Sequence, residues 1–223
     1  MTHRPLVSGP MAKPTPPPSP GPATSEKALT VLAAARRIFL DHGFGAATTD
    51  MIQQAAAVSK STVYAHYPNK EALFRAVVES ECERLVAEVR AVALPAGSLK
   101  GTLTTIGAFY LAMVLSPDVL AMYRLIVAEA PRFPELAARF YVTGPGAMND
   151  IVSGVLDTAL ADGALDFGGV GRDAAAALFV GMVRSEAQMQ SLTHPGSPPS
   201  AVQQQQWVRD AVTTFLRAFT GAR

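Results

Sequence analysis

The chain has 223 residues, 49% of them hydrophobic, which is enough apolar material to build a buried core. Its single cysteine, Cys82, excludes an internal disulfide and a zinc site built from several thiolates, and it indicates a reducing, cytoplasmic location. Residues 1–75 carry eight Lys and Arg against four Asp and Glu, whereas residues 76–223 carry eleven against fourteen, so the formal net charge of +1 divides unevenly. This division predicts a basic module that binds a polyanion, attached to a larger acidic body.

The first 24 residues hold eight of the seventeen prolines and few large apolar side chains. We predict a disordered, proline-rich tail over residues 1–24, without the apolar stretch that a signal peptide needs. The longest apolar run, residues 106–115, is too short to cross a bilayer. We therefore expect no membrane partner.

Helical periodicity begins at Ser25, after which apolar residues recur every three or four positions until Gly43, a residue suited to ending a helix. Thr48 or Thr49 then provides a cap for a short helix over residues 50–56. These signals predict a long first helix followed by a short second one.

A second short helix is predicted over residues 60–67, capped by Ser59. Two short helices after a longer one are the ingredients of a helix-turn-helix, whose second short helix enters the major groove of DNA. With Val63 facing inward, the polar residues on its other side are Lys60, Ser61, Tyr64 and His66. Such a face suits a polyanion, and the alternative is an ordinary solvated helix.

Asn69 is positioned to cap a fourth helix over residues 70–92. Proline and glycine divide the remainder into helices that we predict over residues 99–115, 117–130, 134–163, 172–192 and 201–220, the third of these bent near Pro145. No segment alternates like a strand. The sequence therefore predicts an all-α fold of about nine helices, with a three-helix unit at the N-terminal end.

The helix-turn-helix segment reads GFGAATT over residues 43–49 and AAVSKSTVYAHYPNKEALF over residues 56–74. It closely resembles the DNA-binding domain of the TetR family of transcriptional regulators. The resemblance implies that hydroxyls at the start of the second helix, together with residues of the third helix and the start of the fourth, contact double-stranded DNA. The residues matched to these contacts are Thr48, Thr49, Lys60, Ser61, Thr62, Tyr64, His66 and Lys70.

Within this set the resemblance implies phosphate contacts for Tyr64, His66 and Lys70, and base or backbone contacts for residues 60–62. Lys60 is the first candidate for a guanine contact. Two positions depart from the usual pattern, because Ala57 stands where the family has glycine and Tyr67 where phenylalanine is commoner. A positive φ at Ala57 costs about 1 kcal/mol, so the turn is either strained or differently shaped.

The body resembles the AefR-type branch of the family over residues 123–136, at Phe140-Tyr141 and at Gly144-Pro145. The resemblance implies a DNA-binding domain over residues 25–72 and a ligand-binding and dimerisation domain over residues 73–223. Dimerisation in this family uses the last two helices, where the apolar residues are Leu178, Phe179, Met182, Val183, Trp207, Val208, Val212, Phe215, Leu216 and Phe219. The alternative is that these stripes pack within one chain.

A ligand pocket is expected among the middle helices. Its candidate residues are Phe109, Tyr110, Met113, Met122, Tyr123, Arg124, Phe140, Tyr141 and Met148. Methionine and aromatic side chains suit an apolar or aromatic effector. Arg124 and Glu129 are charges in an apolar helix, for which a structural salt bridge is favoured over a ligand contact.

An enzyme is the main alternative class, yet the four histidines show no metal-ligand spacing and no catalytic residues are recognisable, so we expect no cofactor and no metal. A third interpretation is an orphan regulator whose body binds another protein. The favoured hypothesis is a one-component repressor that binds a palindromic operator as a homodimer and in which an effector shifts the fourth helix.

Overall fold

A computed structural model describes residues 25–95 and 97–220, and within them the chain consists of helices joined by short turns. The ten α-helices are α1 Glu26–Ala46, α2 Thr49–Ala56, α3 Lys60–His66, α4 Lys70–Arg90, α5 Leu99–Val114, α6 Pro117–Glu129, α7 Pro134–Tyr141, α8 Ala147–Ala161, α9 Arg172–Thr193 and α10 Ala201–Phe219. The predicted all-α fold is confirmed. The predicted tail over residues 1–24 lies outside the described residues.

Side-chain caps fix where the first four helices begin. Ser25, Thr48, Ser59 and Asn69 each accept a hydrogen bond from the backbone N–H three residues later, which satisfies a donor that the helix itself leaves unpaired. Of the two threonines left open as the cap of α2, the structure uses Thr48.

Gly43 interrupts α1 near its end, with φ 73° and ψ 169°, a conformation that side chains other than glycine rarely adopt. The interruption turns Phe44 back onto the helix, where its ring stacks on Phe39 at a centroid distance of 5.9 Å. Phe133, just before α7, packs edge-to-face on Phe44 at a centroid distance of 5.0 Å. The N-terminal unit is thereby joined to the body through aromatic contacts.

The predicted bend between α7 and α8 is a π-helical turn, Val142–Gly146. Pro145 lies inside it, and because proline has no backbone N–H it cannot continue the α-helical ladder. If α7, this turn and α8 are counted as one bent segment, the described helices number nine, as expected from the sequence.

Two clusters of buried side chains hold the helices together. The N-terminal cluster contains side chains of α1, α2, α3, α4, α6 and α7, and it includes Phe39, Phe74, Met122 and Leu136. The C-terminal cluster joins the end of α4 with α5, α8, α9 and α10, and it includes Val89, Leu103, Leu156, Phe179 and Phe215. Helix α4 contributes to both clusters and runs without a break across the predicted domain boundary at residues 72–73.

Candidate DNA-binding surface and effector cavity

The two short helices α2 and α3 are connected through a tight turn, and α1 packs against both. Ala57 ends α2 in the left-handed conformation, with φ 53° and ψ 39°. The turn thus has the shape that normally favours glycine, at a cost of about 1 kcal/mol for alanine. After it, the Ser59 hydroxyl lies 2.8 Å from the hydroxyls of both Ser61 and Thr62 at the start of α3.

Helix α3 buries one side and exposes the other. Val63 is buried in the N-terminal cluster, and the Tyr67 hydroxyl donates to the Ala28 carbonyl at 3.3 Å, so the hydroxyl that phenylalanine would lack has a partner. The exposed side carries Lys60, Ser61, Tyr64 and His66. One cation with hydroxyl and ring donors is a set of groups able to bind phosphates and base edges.

Contacts between helices bring further predicted residues to this surface. The Tyr64 hydroxyl donates to Thr49 Oγ1 at 3.4 Å, and His66 Nε2 lies 3.3 Å from Ser25 Oγ. Thr48 is occupied as the cap of α2, where its Oγ1 accepts from the Met51 N–H at 3.1 Å. The exposed residues of α3 and Thr49 therefore form one continuous surface, which we call the reading surface.

Lys60, the first candidate for a base contact, is paired with Asp50 of α2 at 2.9 Å. The hydrogen bond to Asp50 raises the pKa of Lys60 above its ordinary value. Both side chains are exposed, and exposed ion pairs are weak. The ion pair holds the Lys60 ammonium beside α2. Because the pair is weak, the ammonium can leave Asp50 and bind a phosphate or a base instead.

Lys70, for which the resemblance implies a phosphate contact, makes contacts within the chain. Its Nζ donates to the carbonyls of Phe44 and Ala47, each at 2.9 Å, and lies 3.5 Å from that of Gly45. The ammonium also lies 4.5 Å from the centroid of the Phe44 ring. Because an ammonium has three hydrogens, these carbonyls can occupy all of them, and Lys70 fastens the start of α4 to the end of α1 and to Ala47.

A cavity of about 60 Å³ lies beside α4 in the body. Six of the nine predicted pocket residues line it: Tyr110, Met113, Met122, Tyr123, Phe140 and Met148. Residues of both clusters line it: Cys82 belongs to the N-terminal cluster, and Val89 and Val114 belong to the C-terminal cluster. The cavity therefore lies where the two clusters meet.

The other three predicted pocket residues lie outside this cavity. Phe109 lines a separate groove beside α4, Tyr141 is 60% exposed, and Arg124 Nη2 donates to the Ser191 carbonyl at 3.2 Å without forming an ion pair with Glu129. Each is the immediate neighbour of a residue that does line the cavity. Successive helical side chains point roughly 100° apart, so the neighbours are turned away.

Glu81 of α4 is a charged residue of the cavity wall. Its carboxylate binds Arg36 Nε at 2.7 Å and Arg84 Nη2 at 3.0 Å. Burial raises the pKa of Glu81, but the hydrogen bonds from the two guanidinium groups outweigh this effect and hold it below its ordinary value. Burial also raises the pKa of the Cys82 thiol beside it, which keeps that sulfur neutral.

Three polar residues of the wall are absent from the predicted pocket: Glu81, Arg184 and Gln188. Each occupies the apolar stripe of its helix, because Glu81 follows Val77 by four residues, and Arg184 and Gln188 continue the same spacing from Val180. A polar or charged residue on the apolar stripe of a helix is uncommon. Its presence in the sequence is therefore the signal that could indicate these three wall residues.

The predicted dimer residues divide into two groups. Leu178 and Met182 of α9 are exposed, and Trp207 and Leu216 of α10 are partly buried. Those that lie in the core of the single chain are Phe179, Val183, Val208, Val212, Phe215 and Phe219. These six side chains pack within the single chain, as the alternative interpretation has it. Because α5 and the side chains themselves already cover them, they cannot also contact a partner.

Within residues 25–95 and 97–220 no cluster of His, Cys, Asp and Glu is arranged to hold a metal ion. None of the described helices is by itself long and apolar enough to span a membrane, and α5 and α6 reach such a length only as a pair bent by 67°.

Comparison with known proteins identifies both parts of the chain. The family described as bacterial regulatory proteins, tetR family, matches residues 31–77, and the AefR-like transcriptional repressor C-terminal domain matches residues 101–220. UidR of Escherichia coli K12, an HTH-type transcriptional regulator, is 40% identical over 60 residues. That alignment spans 27% of this chain and 31% of UidR, so the chain aligns with about a third of that relative.

Solved structures extend the similarity to both parts of the fold. The Flavonoid-responsive Regulator FrrA is 33% identical, with a TM-score of 0.72 over 88% of this chain and 98% of FrrA. A TetR family transcriptional regulator from Pseudomonas syringae pv. tomato is 27% identical, with a TM-score of 0.69 over 88% of this chain and 98% of that one. The chain therefore belongs to the TetR family and is a helix-turn-helix, DNA-binding regulator of transcription.

Proposed function

We propose that this protein is a repressor that binds a palindromic operator as a homodimer and responds to a small apolar or aromatic effector. The observation that carries the proposal is the position of the cavity at the meeting point of the two hydrophobic clusters. A molecule that enters there changes how the body is packed against the helices that carry the reading surface.

DNA recognition in this proposal uses Lys60 and Ser61 in the major groove, with Thr49, Tyr64 and His66 at the flanking phosphates. One such surface offers few base contacts, and two copies related by a two-fold axis read two half-sites of an inverted repeat. The operator is therefore proposed to be a palindrome.

The outer face of α9 supports dimerisation. Leu178, Met182 and Met189 are 52%, 38% and 61% exposed, and their spacing places them on one side of the helix. Exposed apolar strips of this kind mark protein interfaces. We assign the homodimer contact to this strip and the adjacent face of α10, in place of the buried residues predicted from the sequence.

The effector is proposed to bind in the cavity, whose methionine and aromatic side chains adapt to flat apolar molecules. A volume of about 60 Å³ is small beside the roughly 300–1,000 Å³ of ligand pockets, so an effector of ordinary size must push the wall apart. FrrA is described as flavonoid-responsive, which supports an aromatic effector for the present chain as well.

Helix α4 provides the coupling between effector and DNA. Glu81 and Cys82 place its middle on the cavity wall, while Lys70 at its beginning holds the carbonyls of Phe44 and Ala47 just before α2. Displacement of α4 therefore moves the helix-turn-helix. A coupling free energy of about 1–3 kcal/mol is sufficient for such regulation.

The test is selection of DNA from a random pool by the purified protein, followed by fluorescence anisotropy on the selected sequence. We expect an inverted repeat, bound more tightly than its scrambled version, and weakened binding of both sequences in Tyr64→Ala, because a phosphate contact is lost. Tyr141→Ala, which removes an exposed tyrosine of the body, is the matched control and should bind like the wild type. Selection of a sequence without two-fold symmetry would contradict the palindromic homodimer.

The response to an effector is tested with the flavonoid naringenin, added to the complex with the selected DNA. We expect the flavonoid to lower the affinity for DNA. If calorimetry shows that naringenin binds the protein while the affinity for DNA stays the same, the proposed coupling is wrong.

A further inference from the structure

Two charged residues contribute to the cavity wall, and their surroundings differ. The Glu81 carboxylate is bound by both Arg36 and Arg84. Arg184 takes part in none of the ion pairs formed within residues 25–95 and 97–220. Arg184 is half-buried, and a guanidinium group on an apolar wall without a carboxylate partner is unusual, because even partial removal of a charge from water is unfavourable unless the charge is paired.

Polar groups next to Arg184 face the same space. Gln188, one helical turn further along α9, lines the cavity, is 6% exposed, and has no side-chain hydrogen bond to another described residue. Tyr110 of α5 also lines the cavity; burial raises the pKa of its hydroxyl, and the nearby Arg184 opposes that effect. Together they place guanidinium, amide and hydroxyl donors on one part of the wall.

The remainder of the wall is predominantly apolar. Met113, Met122 and Met148 line it together with Val86 and Phe140. An occupant that matches this distribution has an apolar skeleton and one polar end that accepts hydrogen bonds. A charged acceptor pairs with a guanidinium group more strongly than a neutral one does.

We propose that Arg184, assisted by Gln188, binds the ionised acid group of an amphipathic organic anion, while the methionine-lined part of the cavity holds its apolar skeleton. The inference rests on the proposed function, because it specifies the chemical class of effector that the same cavity takes. Arg184 is accordingly the residue that determines specificity for an acid over a neutral molecule of the same shape.

The test compares two compounds of nearly equal size that differ in charge, 2-naphthoate and naphthalene-2-carboxamide. Isothermal titration calorimetry on the full chain gives the ratio of their dissociation constants. We expect the wild type to prefer the carboxylate by about ten- to a hundredfold, the range for a hydrogen-bonded charge. Arg184→Met should abolish this preference while retaining affinity for the carboxamide, and Arg184→Lys should restore part of it.

Arg172→Met is the matched control, because Arg172 lies at the start of the same helix and pairs there with Asp157 and Asp173. This variant should retain the wild-type preference. Binding of the carboxamide also reports that the cavity of Arg184→Met is intact, so loss of the preference cannot be attributed to misfolding.

The outcomes separate this inference from the proposed function. Equal affinity of the wild type for both compounds, or a preference that persists in Arg184→Met, would overturn the role of Arg184 and leave an effector cavity in place. Failure of both compounds to bind the wild type up to their solubility limits would overturn the inference together with the cavity as an effector site.

Discussion

The Arg36 guanidinium of α1 lies 2.7 Å from the Glu81 carboxylate of α4, on the wall of the cavity. The same guanidinium reaches Asp118 of α6 at 2.9 Å. One arginine therefore links the first helix of the DNA-binding unit to two helices that enclose the proposed effector site. An effector that shifts the Glu81 carboxylate acts directly on the position of α1, in addition to its action through the length of α4.

Replacing Glu81 by glutamine should reduce the dependence of stability on acid pH. The folded-state pKa of Glu81 is lowered relative to the ordinary value of 4.5. A carboxylate of this kind stabilises the fold above its unfolded-state pKa, and that contribution is lost as the pH falls through the folded-state value. Urea unfolding at a series of pH values should therefore show a smaller loss below pH 4.5 in Glu81→Gln than in the wild type.

At neutral pH the same variant should be less stable by about 1–2 kcal/mol, because two guanidinium groups lose a charged acceptor. Glu88→Gln is the control, since Glu88 also pairs with Arg84 but is exposed. Its effect should stay within about 0.5 kcal/mol. Identical acid sensitivity of Glu81→Gln and the wild type would show that the buried carboxylate does not titrate with folding.

Lys60 and Lys70 should respond to substitution in opposite ways. Lys60→Met should weaken operator binding and lower the log–log salt slope by about one per subunit, because one cation that displaces counterions from the DNA is lost. Its free energy of unfolding should hardly change, since the Lys60–Asp50 pair is exposed. Lys70→Met should instead lower the free energy of unfolding by about 1–3 kcal/mol, because the carbonyls before α2 lose their donor.

Anisotropy titrations at several salt concentrations and urea unfolding of both variants provide the comparison. A lower salt slope in Lys70→Met with unchanged stability would mean that Lys70 leaves these carbonyls and contacts phosphate, as the family resemblance implies.

Ala57→Gly should stabilise the protein, because the native φ of 53° is unfavourable for alanine and accessible to glycine. The gain is expected to be about 0.5–1 kcal/mol, since glycine also gains entropy in the unfolded chain, which offsets part of the relieved strain. Urea unfolding measures it. Ala33→Gly, at an exposed position within α1, is the control and should destabilise by a similar amount; a destabilising Ala57→Gly would show that the turn carries no strain.

Local features of the fold were predictable from the sequence because they depend on residues close together in the chain. The caps Ser59 and Asn69 each act on a backbone N–H three residues away. The left-handed conformation of Ala57 is one of the two shapes that the sequence leaves open, and it too concerns the backbone angles of a single residue. Such relationships need no knowledge of how the helices pack.

Relationships between distant segments were not predictable in this way. The stripe on α10 indicates a buried face, but the pattern is the same whether α5 and α9 or a second chain covers it. Lys70 meets carbonyls more than twenty residues earlier, and Arg184 shares a wall with residues of α4, so both depend on the packed structure. Composition does not specify the direction of a side chain around a helix, so it does not distinguish Phe109 from its neighbour Tyr110, which lines the cavity.

The dimer surface provides the last prediction. Met182→Glu places a charge in the exposed apolar strip of α9, and burying an unpaired carboxylate in an interface is strongly unfavourable. We expect this variant to be monomeric by sedimentation velocity and to lose most of its operator affinity, while its circular dichroism spectrum stays that of the wild type. Val127→Glu, at an exposed position of α6, is the control and should remain dimeric. Phe179→Ala should instead lower the free energy of unfolding by about 3–5 kcal/mol, because it empties a core site of the single chain. If Met182→Glu remains dimeric, the two copies meet through a surface other than the strip on α9.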